Sequence, residues 1–564
     1  MILFLLAFFE VAEALGQVRF IANWEDSFEI FPTPAEFSAH KNSIQDRLQQ
    51  HSRIFAINPD LYCKYPARYH RLVQEGLLPL KDFGKCHELR EFFEKAPIDK
   101  LSLVFASESL TQPSSIMGHA FLKLTGLNLQ NEKREHSISF FTRMDDVNPL
   151  QLIAQSFVTG KKGFYVLGPF SETVEYYLRS EGRNLWEYEL KLSPGQLEFL
   201  RLYLFELKHT EFKYYFHVFN CATLIQGIIA AIYPEVKTAG HLWVTPLDVV
   251  KTLHKHELVQ ERKVYPNSTW LVKQLGHLKE YRTLGNRKDD QSEFDQAIVY
   301  HYQKAYQSSR YESGEINLEQ LIQKTSVLES EFTAYKKYDE LSFLNLKGPE
   351  STIQDSQIVL SAIQQEEKRG FGFYILPLSH QISNDLGGYS FESDVRLLGI
   401  GLTLPETETI RLSSIDIFKV SSFKYHDDLT GGLSGQFHLV YKENSENIQM
   451  IHGKSMNASL SVGKTYRIKN DVDFYIWPSI AFTQSNRLNL MANPQFGFIM
   501  RQIYKMKLVS QFEHQVDTDK HRMNIFQLIQ SINLDSYSAA IEYRKHFNDK
   551  VSIERTGLSF SIFF

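Results

Sequence analysis

Residues 366–564 alternate between apolar and polar side chains with a period of two, and this pattern constrains the fold more than any other in the chain. One segment places Val472, Phe474, Ile476, Ile480 and Phe482 on one face and Asp471, Asp473, Ser479 and Thr483 on the other. Similar alternation occurs at 437–441, 458–462 and 537–543. Because successive side chains of a strand point to opposite faces, about twelve such segments predict an antiparallel β-barrel over 366–564.

The C-terminal end bears on whether this barrel lies in a membrane. The last segment alternates and ends on Phe564, which resembles the C-terminal signal of bacterial outer-membrane barrels. Aromatic residues make up 13% of the chain, with 42 Phe and 28 Tyr, as suits strands that face lipid. A soluble β-sandwich or barrel is the alternative, because His438, Lys442, Arg544 and Lys545 place charge among the aromatic faces. We expect an outer-membrane barrel.

Length and charge limit the remaining classes of protein. The chain has 564 residues, too many for one hydrophobic core, so several domains are expected. Its formal net charge of -5 gives no electrostatic basis for binding nucleic acid. No apolar run is long enough for a membrane-spanning helix.

Residues 1–16 have a short apolar core followed by Ala12-Glu13-Ala14, which predicts a secretory signal-like segment. A buried first helix or strand is the alternative. Lys and Arg are missing before the apolar core, so the true start is expected upstream.

The chain has three cysteines, and their positions suggest one disulfide. Cys63 and Cys86 are close in sequence, whereas Cys221 is far from both. In an oxidising compartment, the first two would pair and leave Cys221 free. Three reduced thiols are the alternative. Residues 17–95 are therefore expected to form a small helical domain stapled by this disulfide.

The free cysteine lies at the start of a predicted helix. The stretch 216–232 reads FHVFNCATLIQGIIAAI, with apolar residues at helical spacing after Cys221. Asn220 suits the N-cap position, so Cys221 falls in the first turn, where the helix dipole and free N–H groups stabilise a thiolate. Cys221 is therefore a candidate nucleophile. The alternative is a buried cysteine that only packs.

A nucleophilic cysteine needs a base, and His119 is the best candidate. It follows Gly118 at the junction between a polar loop and a predicted strand, where functional side chains are common. The pair would perform acyl transfer, with the Cys221 backbone N–H as a candidate oxyanion donor. His136, Ser107 or Ser109 could orient His119. The histidine spacings lack the patterns typical of metal sites, so neither a metal nor a cofactor is expected.

Two further segments complete the domain organisation. Residues 96–260 mix short strands with helices and contain both members of the proposed dyad. Residues 261–365 are polar and form a predicted helical connector, with helical spacing at 291–308, 317–331 and 353–367.

Four motifs follow one another within 96–260: IMGHAFLKL at 116–124, RNLWEYELKL at 183–192, YYFHVFNCATL at 214–224 and TPLD at 245–248. Together they resemble the family of the Lnb N-terminal periplasmic domain, named after a bacterial enzyme that moves an acyl chain within a lipoprotein. The resemblance implies that His119 and Cys221 form the catalytic dyad. It also implies an α+β domain with a permuted papain-like (NlpC-type) fold.

The resemblance extends outside that domain. Proteobacterial members have a segment like LYCKYPARY at 61–69 and a C-terminal β-rich region. Family members often have Arg where Lys123 stands and Phe where Met117 stands. Both differences leave the dyad intact but bear on the substrate.

Three functions from different classes fit these observations. The first is a cell-envelope thiol acyltransferase or acyl hydrolase acting on a lipid or lipoprotein through an acyl-cysteine. The second is a cysteine peptidase or amidase acting on cell-wall peptides. The third is a non-catalytic outer-membrane scaffold. In each case we expect the domain with the dyad in the periplasm and the barrel in the outer membrane.

Overall fold

A computed structural model gives the fold of most of the chain. It describes residues 44–109, 115–142, 159–210, 212–215, 219–236, 243–283, 293–331, 339, 341, 344, 346–406, 409–443, 453–469, 471–484 and 488–564. The signal-like segment expected at 1–16 lies outside these residues. The chain divides into two compact units, one of residues 1–109 and 117–265 and the other of 110–116 and 266–564.

The first unit contains a seven-stranded antiparallel sheet. Its strands are β1 (Lys100–Ala106), β2 (His119–Leu127), β3 (Lys133–Thr142), β4 (Lys161–Pro169), β5 (Leu185–Leu190), β6 (Lys213–Tyr214) and β7 (Val259–Tyr265). They lie in the order β6-β4-β3-β2-β1-β5-β7. Strands β1 and β5 are buried along almost their whole length because helices cover the centre of the sheet. The strands predicted around His119 are thereby confirmed.

Eight helices of this unit lie in its described residues. They are α1 (Ile44–Ile57), α2 (Leu61–Lys64), α3 (Pro66–Gln74), α4 (His87–Lys95), α5 (Phe170–Glu175), α6 (Pro194–Leu207), α7 (Cys221–Ala230) and α8 (Pro246–Lys255). Capping boxes start α6, α7 and α8. Helix α7 packs against β2 and β3, while α8 packs against β1 and α7. Helices on an antiparallel sheet confirm the α+β class of this region.

The N-terminal helices belong to the same compact unit as the sheet. The predicted disulfide is present between Cys63 and Cys86, with Cα atoms 5.2 Å apart, and Cys221 is free. Arg68 of α3 and Glu206 of α6 form a buried ion pair at 2.6 Å. The helical segment expected over 17–95 is therefore, in its described part, a layer anchored on α6.

The second unit begins with three helices, α9 (Ser268–Thr283), α10 (Glu293–Glu312) and α11 (Leu318–Glu331), which confirm a helical segment before the barrel. Among the described residues, no helix is both long and apolar enough to cross a membrane. The connector expected over 261–365 is too wide at both ends. Residues 261–265 belong to β7, and the helix expected at 353–367 is instead a strand, β8 (Gln357–Gln365).

The error at β8 has a physical cause. The sequence QIVLSAIQQ has apolar residues at both helical and strand spacing, so its periodicity does not decide between the two. Pairing with strands on both sides fixes the extended form, because it satisfies the backbone groups of the whole segment. The barrel therefore starts at Gln357 rather than at 366.

The barrel closes through the pairing of β8 with the last strand of the chain. The remaining strands are β9 (Lys368–Leu376), β10 (Leu378–His380), β11 (Ser393–Pro405), β12 (Arg411–Ser422), β13 (Ser434–Glu443), β14 (Lys454–Lys469), β15 (Val472–Trp477), β16 (Ser479–Gln484), β17 (Leu488–Ala492), β18 (Gln495–Arg501), β19 (Met506–Asp517), β20 (Arg522–Asn533), β21 (Tyr537–Phe547) and β22 (Ser552–Phe563). Strands β15 and β16 both pair with β14 and together occupy one strand position of the barrel. Strands β17 and β18 both pair with β19 and occupy another, while β10 is a short strand that pairs with β11. The result is a 12-strand antiparallel barrel.

The barrel wall is apolar outside and largely polar inside. In β16, Ile480 and Phe482 are 47% and 43% exposed, whereas Ser479, Ala481 and Thr483 point inward and are buried. The same alternation recurs in β17 and β18. A soluble protein buries its apolar face, so this inverted pattern is that of an outer-membrane-type barrel.

Candidate active site

Cys221 is the first residue of α7, as the sequence predicts. The Asn220 side chain accepts a hydrogen bond from Thr223 N at 3.0 Å, and the Thr223 hydroxyl accepts one from Asn220 N at 2.9 Å. The Asn220 amide also donates to the carbonyl of Val244 at 3.0 Å, which ties the helix start to the segment before α8. These bonds fix the backbone that carries Cys221, which is 5% exposed.

His119 is the first residue of β2, where it pairs with Ala106 at the end of β1. Its side chain hydrogen-bonds the Cys221 thiol. The imidazole also stacks on the ring of Tyr177, with centroids 6.2 Å apart and ring planes inclined by 27°. The structure thus brings together the two residues predicted to form the dyad.

Three groups donate hydrogen bonds to the sulfur of Cys221. Burial raises the pKa of this thiol, while the charge and hydrogen bond of His119 lower it. The backbone N–H of Ala120 and the hydroxyl of Tyr214 also bond to the sulfur, and the pKa falls to about 7. A substantial fraction of Cys221 is therefore thiolate at neutral pH, as a nucleophile requires.

Tyr214 is a site residue that the sequence reasoning missed. Its hydroxyl accepts a hydrogen bond from the Cys221 backbone N–H at 3.2 Å and also bonds to the sulfur. The N–H expected to be an oxyanion donor is thus occupied by Tyr214 in this structure. Burial raises the pKa of Tyr214 far above its ordinary value, so its hydroxyl stays protonated and available as a donor. The sequence offered one signal, since Tyr214 opens the motif that contains Cys221.

An aromatic wall lies beside His119. Tyr177 stacks on Phe121 with ring centroids 5.5 Å apart, and burial raises the pKa of Tyr177. The guanidinium of Arg183 lies 5.0 Å from the centre of the Tyr177 ring. Arg183 also donates to the carbonyls of Ala106 and Ser107, which end β1. Arg183 therefore ties the aromatic wall to the strand end that pairs with His119.

The residues predicted to support His119 lie elsewhere or make other bonds. The Ser107 hydroxyl accepts from Asn184 N at 3.1 Å, which joins β1 to the start of β5. Ser109, three residues after the end of β1, is also buried. Among the residues that the structure describes, neither serine hydrogen-bonds His119.

The prediction for His136 is wrong on geometric grounds. In β3 it pairs with Leu124, five residues along β2 from His119. At about 3.3 Å per strand residue, this separation is roughly 16 Å, well beyond hydrogen-bond reach. Burial lowers the pKa of His136, which favours a neutral imidazole. The sequence predicts that the two strands are neighbours, but it does not predict their register, and the register separates His136 from His119.

Lys123, which differs from the family pattern, lies in a buried ion network farther along β2. Its ammonium is 2.9 Å from Glu187 and 3.1 Å from Glu135. Glu187 also accepts from the hydroxyls of Ser102 and Tyr265. This network joins β2 to β1, β3, β5 and β7 and lies apart from Cys221, so Lys123 helps to hold the sheet together.

Comparison with solved structures finds distant similarities, three of which cover 36–37% of this chain. The chain is similar to the NanC porin, with 8% identity over 36% of this chain and 98% of that chain and a TM-score of 0.26. It is also similar to a loop-deletion mutant of OmpT, an outer membrane protein of Vibrio cholerae (9% identity, 37% and 97% covered, TM-score 0.21). A third similar structure is LpxR from Salmonella typhimurium (9% identity, 37% and 100% covered, TM-score 0.22). At these TM-scores the similarities carry no functional argument. A search of curated proteins finds no match.

The dyad lies within a region that matches a family model. The model describes the Lnb N-terminal periplasmic domain and matches residues 88–256, which include His119, Tyr214 and Cys221. This match confirms the resemblance seen in the four motifs. Residues 88–256 of this chain therefore match the family of the Lnb N-terminal periplasmic domain.

Proposed function

We propose that the protein is a cell-envelope thiol acyltransferase or acyl hydrolase that acts on a lipid or lipoprotein through an acyl-cysteine at Cys221. One observation carries the proposal: the sulfur of Cys221 accepts hydrogen bonds from His119, Ala120 N–H and Tyr214, and its pKa is about 7. A cysteine that only packs would need none of these donors. The family match supports acyl chemistry rather than another use of a thiolate.

The proposed reaction has two halves. The Cys221 thiolate attacks the carbonyl carbon of an acyl ester, a C–S bond forms, and the carbonyl oxygen takes the displaced electron pair. Collapse of this intermediate breaks the C–O bond, and protonated His119 gives its proton to the leaving oxygen. In the second half, neutral His119 takes a proton from an amine or water, which attacks the thioester and releases the thiolate.

Tyr214 has a dual role in this proposal. In the free protein its hydroxyl bonds both to the sulfur and to the Cys221 N–H. When the carbonyl is attacked, the developing oxyanion is the stronger acceptor for both donors. The hydrogen bond between the Cys221 N–H and the Tyr214 hydroxyl then breaks, and both groups donate to that oxygen instead.

We further propose that the barrel lies in the outer membrane and the Lnb domain in the periplasm. The apolar outer wall of the barrel supports the first part, and the description of the family supports the second. Attachment to a membrane-embedded barrel would keep the thiol close to acyl substrates and raise their effective concentration. A permuted papain-like arrangement of the Lnb domain is part of the same proposal.

The proposal is tested by turnover with the full-length protein in detergent micelles. The substrates are a diacyl phospholipid and a diacylated lipopeptide with radiolabelled acyl chains, and the readout separates free fatty acid from acyl transferred to an amine. We expect acyl release or transfer with one of them. Purified cell-wall peptides serve as a third substrate, and cleavage of these peptides alone would favour the peptidase.

Matched variants separate catalysis from structure. Cys221→Ser and His119→Gln should each lower turnover by about a hundredfold or more, because each removes one half of the reacting pair. His136→Gln is the control, since this histidine lies in the same sheet but about 16 Å along the strand from the dyad. Undiminished turnover in Cys221→Ser would overturn the proposed acyl-cysteine.

A further inference from the structure

The interior of the barrel is divided into a filled end and an open chamber. The segment between β9 and β11 turns inward at the end where β8 starts. Its Ile382 packs against Tyr475, Trp477 and Ile499, which point into the barrel. Hydrogen bonds to the wall hold this plug. Lys507 donates to the backbone carbonyl of Asn384 at 2.6 Å, and the hydroxyl of Ser531 donates to the backbone carbonyl of Ser383 at 2.6 Å. These contacts close one end of the barrel.

The other end holds a cavity of about 630 Å³. Residues from all twelve strand positions line it, including Gln495, Gln511, Gln527 and His546. The strands that contact the plug also line the cavity, but with residues nearer the opposite rim. On β19, for example, Lys507 contacts the plug and Gln511 lines the cavity. The cavity is therefore a chamber with a closed floor, large enough for a ligand of several sugar-sized groups.

Positive charge dominates the chamber. Seven Lys or Arg side chains line it, against two carboxylates, Glu443 and Glu513. Some of the cations have acidic neighbours, because Arg544 pairs with Glu542 at 3.0 Å and Lys419 with Asp394 at 2.9 Å. Within the described part of the chain, neither Lys368 nor Lys442 forms an ion pair.

The donors form a continuous belt around half of the wall. Adjacent strands place Gln511 opposite Gln527, Gln527 opposite Arg544, Arg544 opposite Arg555, Arg555 opposite Gln365, and Gln365 opposite Lys368. Arg544 and Arg555 thus place two guanidinium groups side by side in the belt, with Glu542 beside the first of them. Arginine and glutamine also present several N–H donors in fixed geometry, as recognition of phosphate or carboxylate requires.

We propose that this chamber binds a polyanionic ligand that carries phosphate or carboxylate groups. The belt of Arg544, Arg555 and Lys368 provides the charge, and the glutamines provide further donors to the same ligand. The closed floor makes it a binding site rather than a conduit. This site belongs to the barrel alone and does not depend on the chemistry proposed for Cys221.

The test uses the full-length protein in detergent micelles and isothermal titration calorimetry. The probes are myo-inositol hexakisphosphate, which carries phosphates on a six-membered ring, and mellitate, which carries carboxylates on one. Uncharged myo-inositol is the control ligand. We expect at least one polyanion to bind, to weaken at high ionic strength, and to bind much more tightly than myo-inositol. The polyanion that binds better identifies the anionic group.

Two double variants with equal loss of charge locate the site. Lys368→Gln/Arg555→Gln removes two chamber cations, and we expect affinity to fall about tenfold or more. Lys505→Gln/Lys545→Gln removes two cations that pair with the exposed Asp535 and Glu554 outside the chamber, and affinity should stay within about twofold. Heat-modifiable migration of each variant on a gel reports whether its barrel is folded.

The proposal would be overturned by any of three results. They are the absence of binding by both polyanions to the wild-type protein, equal binding of myo-inositol, and equal loss of affinity in the two double variants. The first two need no variant, so the proposal can fail even if a chamber variant does not fold.

Discussion

The hydroxyl of Tyr214 accepts a hydrogen bond of 3.2 Å from the backbone N–H of Cys221 and also bonds to the sulfur of the same residue. One side chain thus contacts both the nucleophile and the amide that would stabilise an oxyanion. Together with His119 and Ala120 N–H, it surrounds a buried thiol with donors. We propose that this arrangement keeps Cys221 reactive, since burial alone would make the thiol inert.

The thiol should titrate near neutral pH. Reaction with iodoacetamide follows the thiolate, so its rate should reach half its maximum at about pH 7 and fall as the pH drops below that value. In Tyr214→Phe the thiolate loses a donor, and the midpoint should move up by roughly one pH unit. The measurement is the alkylation rate of Cys221 against pH, followed by peptide mass.

Tyr215→Phe is the matched control for this experiment. The neighbouring hydroxyl bonds to the carbonyl of Thr159 instead, at 3.4 Å. Its removal should leave the midpoint near pH 7. A wild-type midpoint at or above about 8.5, the ordinary cysteine value, would contradict an activated thiol.

The sequence predicted that Cys221 and His119 lie together, but it did not predict the residues that surround them. Cys221 was predictable because a cap residue and an apolar helix surround it locally, and His119 because it lies where a loop meets a strand. Tyr214 lies in β6 and Ala120 in β2, and both contact Cys221 of α7 only once these elements pack together. No local sequence pattern predicts such contacts. His136 was misassigned because one strand register moves it away from His119.

The barrel, too, was only partly predictable from the sequence. Alternation predicted about twelve strands, and the structure has 12 positions. Alternation did not predict β8, whose sequence suits either period, nor the plug around Ile382. The plug depends on contacts between a loop and distant strands, so only the folded barrel defines it.

The disulfide should stabilise the N-terminal helices. Cys63 and Cys86 are 23 residues apart, and closing such a loop contributes about 3 kcal/mol in the chain-entropy model. Cys63→Ser/Cys86→Ser should lower the free energy of unfolding of the first compact unit, residues 1–109 and 117–265, by that order, measured by denaturant titration. Reductant should destabilise the wild-type protein but not the variant. Peptide mapping without reductant that links Cys221 to either cysteine would contradict the pairing.

The buried Arg68–Glu206 pair should be costly to break. Arg68→Met leaves the carboxylate of Glu206 buried without its partner, so unfolding free energy should fall by about 3–5 kcal/mol. Burial already raises the pKa of Glu206, against the influence of Arg68. In the variant, the loss should therefore be largest at neutral pH, shrink as the pH falls through the raised pKa of the folded state, and be smallest below about pH 4.3, where the carboxyl is protonated in both states.

The double variant Arg68→Met/Glu206→Met is the control for that pair. It removes both charges and should recover most of the lost stability at neutral pH. A double variant as unstable as Arg68→Met would show that packing, rather than the unpaired charge, causes the loss.

The outer wall of the barrel can be tested with neighbouring residues of β14. Leu460 is 48% exposed on the outer face, whereas Ser459 lines the chamber. In lipid vesicles, Leu460→Lys should destabilise the folded barrel by about 2–4 kcal/mol, because it places a charge among acyl chains. Ser459→Lys should cost much less. Urea titration of both variants measures the difference, and equal effects would contradict a lipid-facing wall.

The acyl-cysteine is tested most directly by intact-mass analysis of the full-length protein, quenched in acid during turnover of a diacyl substrate. We predict one acyl chain on the peptide that contains Cys221, released by neutral hydroxylamine and absent in Cys221→Ala. An acyl chain bound to another residue, or turnover that persists in Cys221→Ala, would contradict the account.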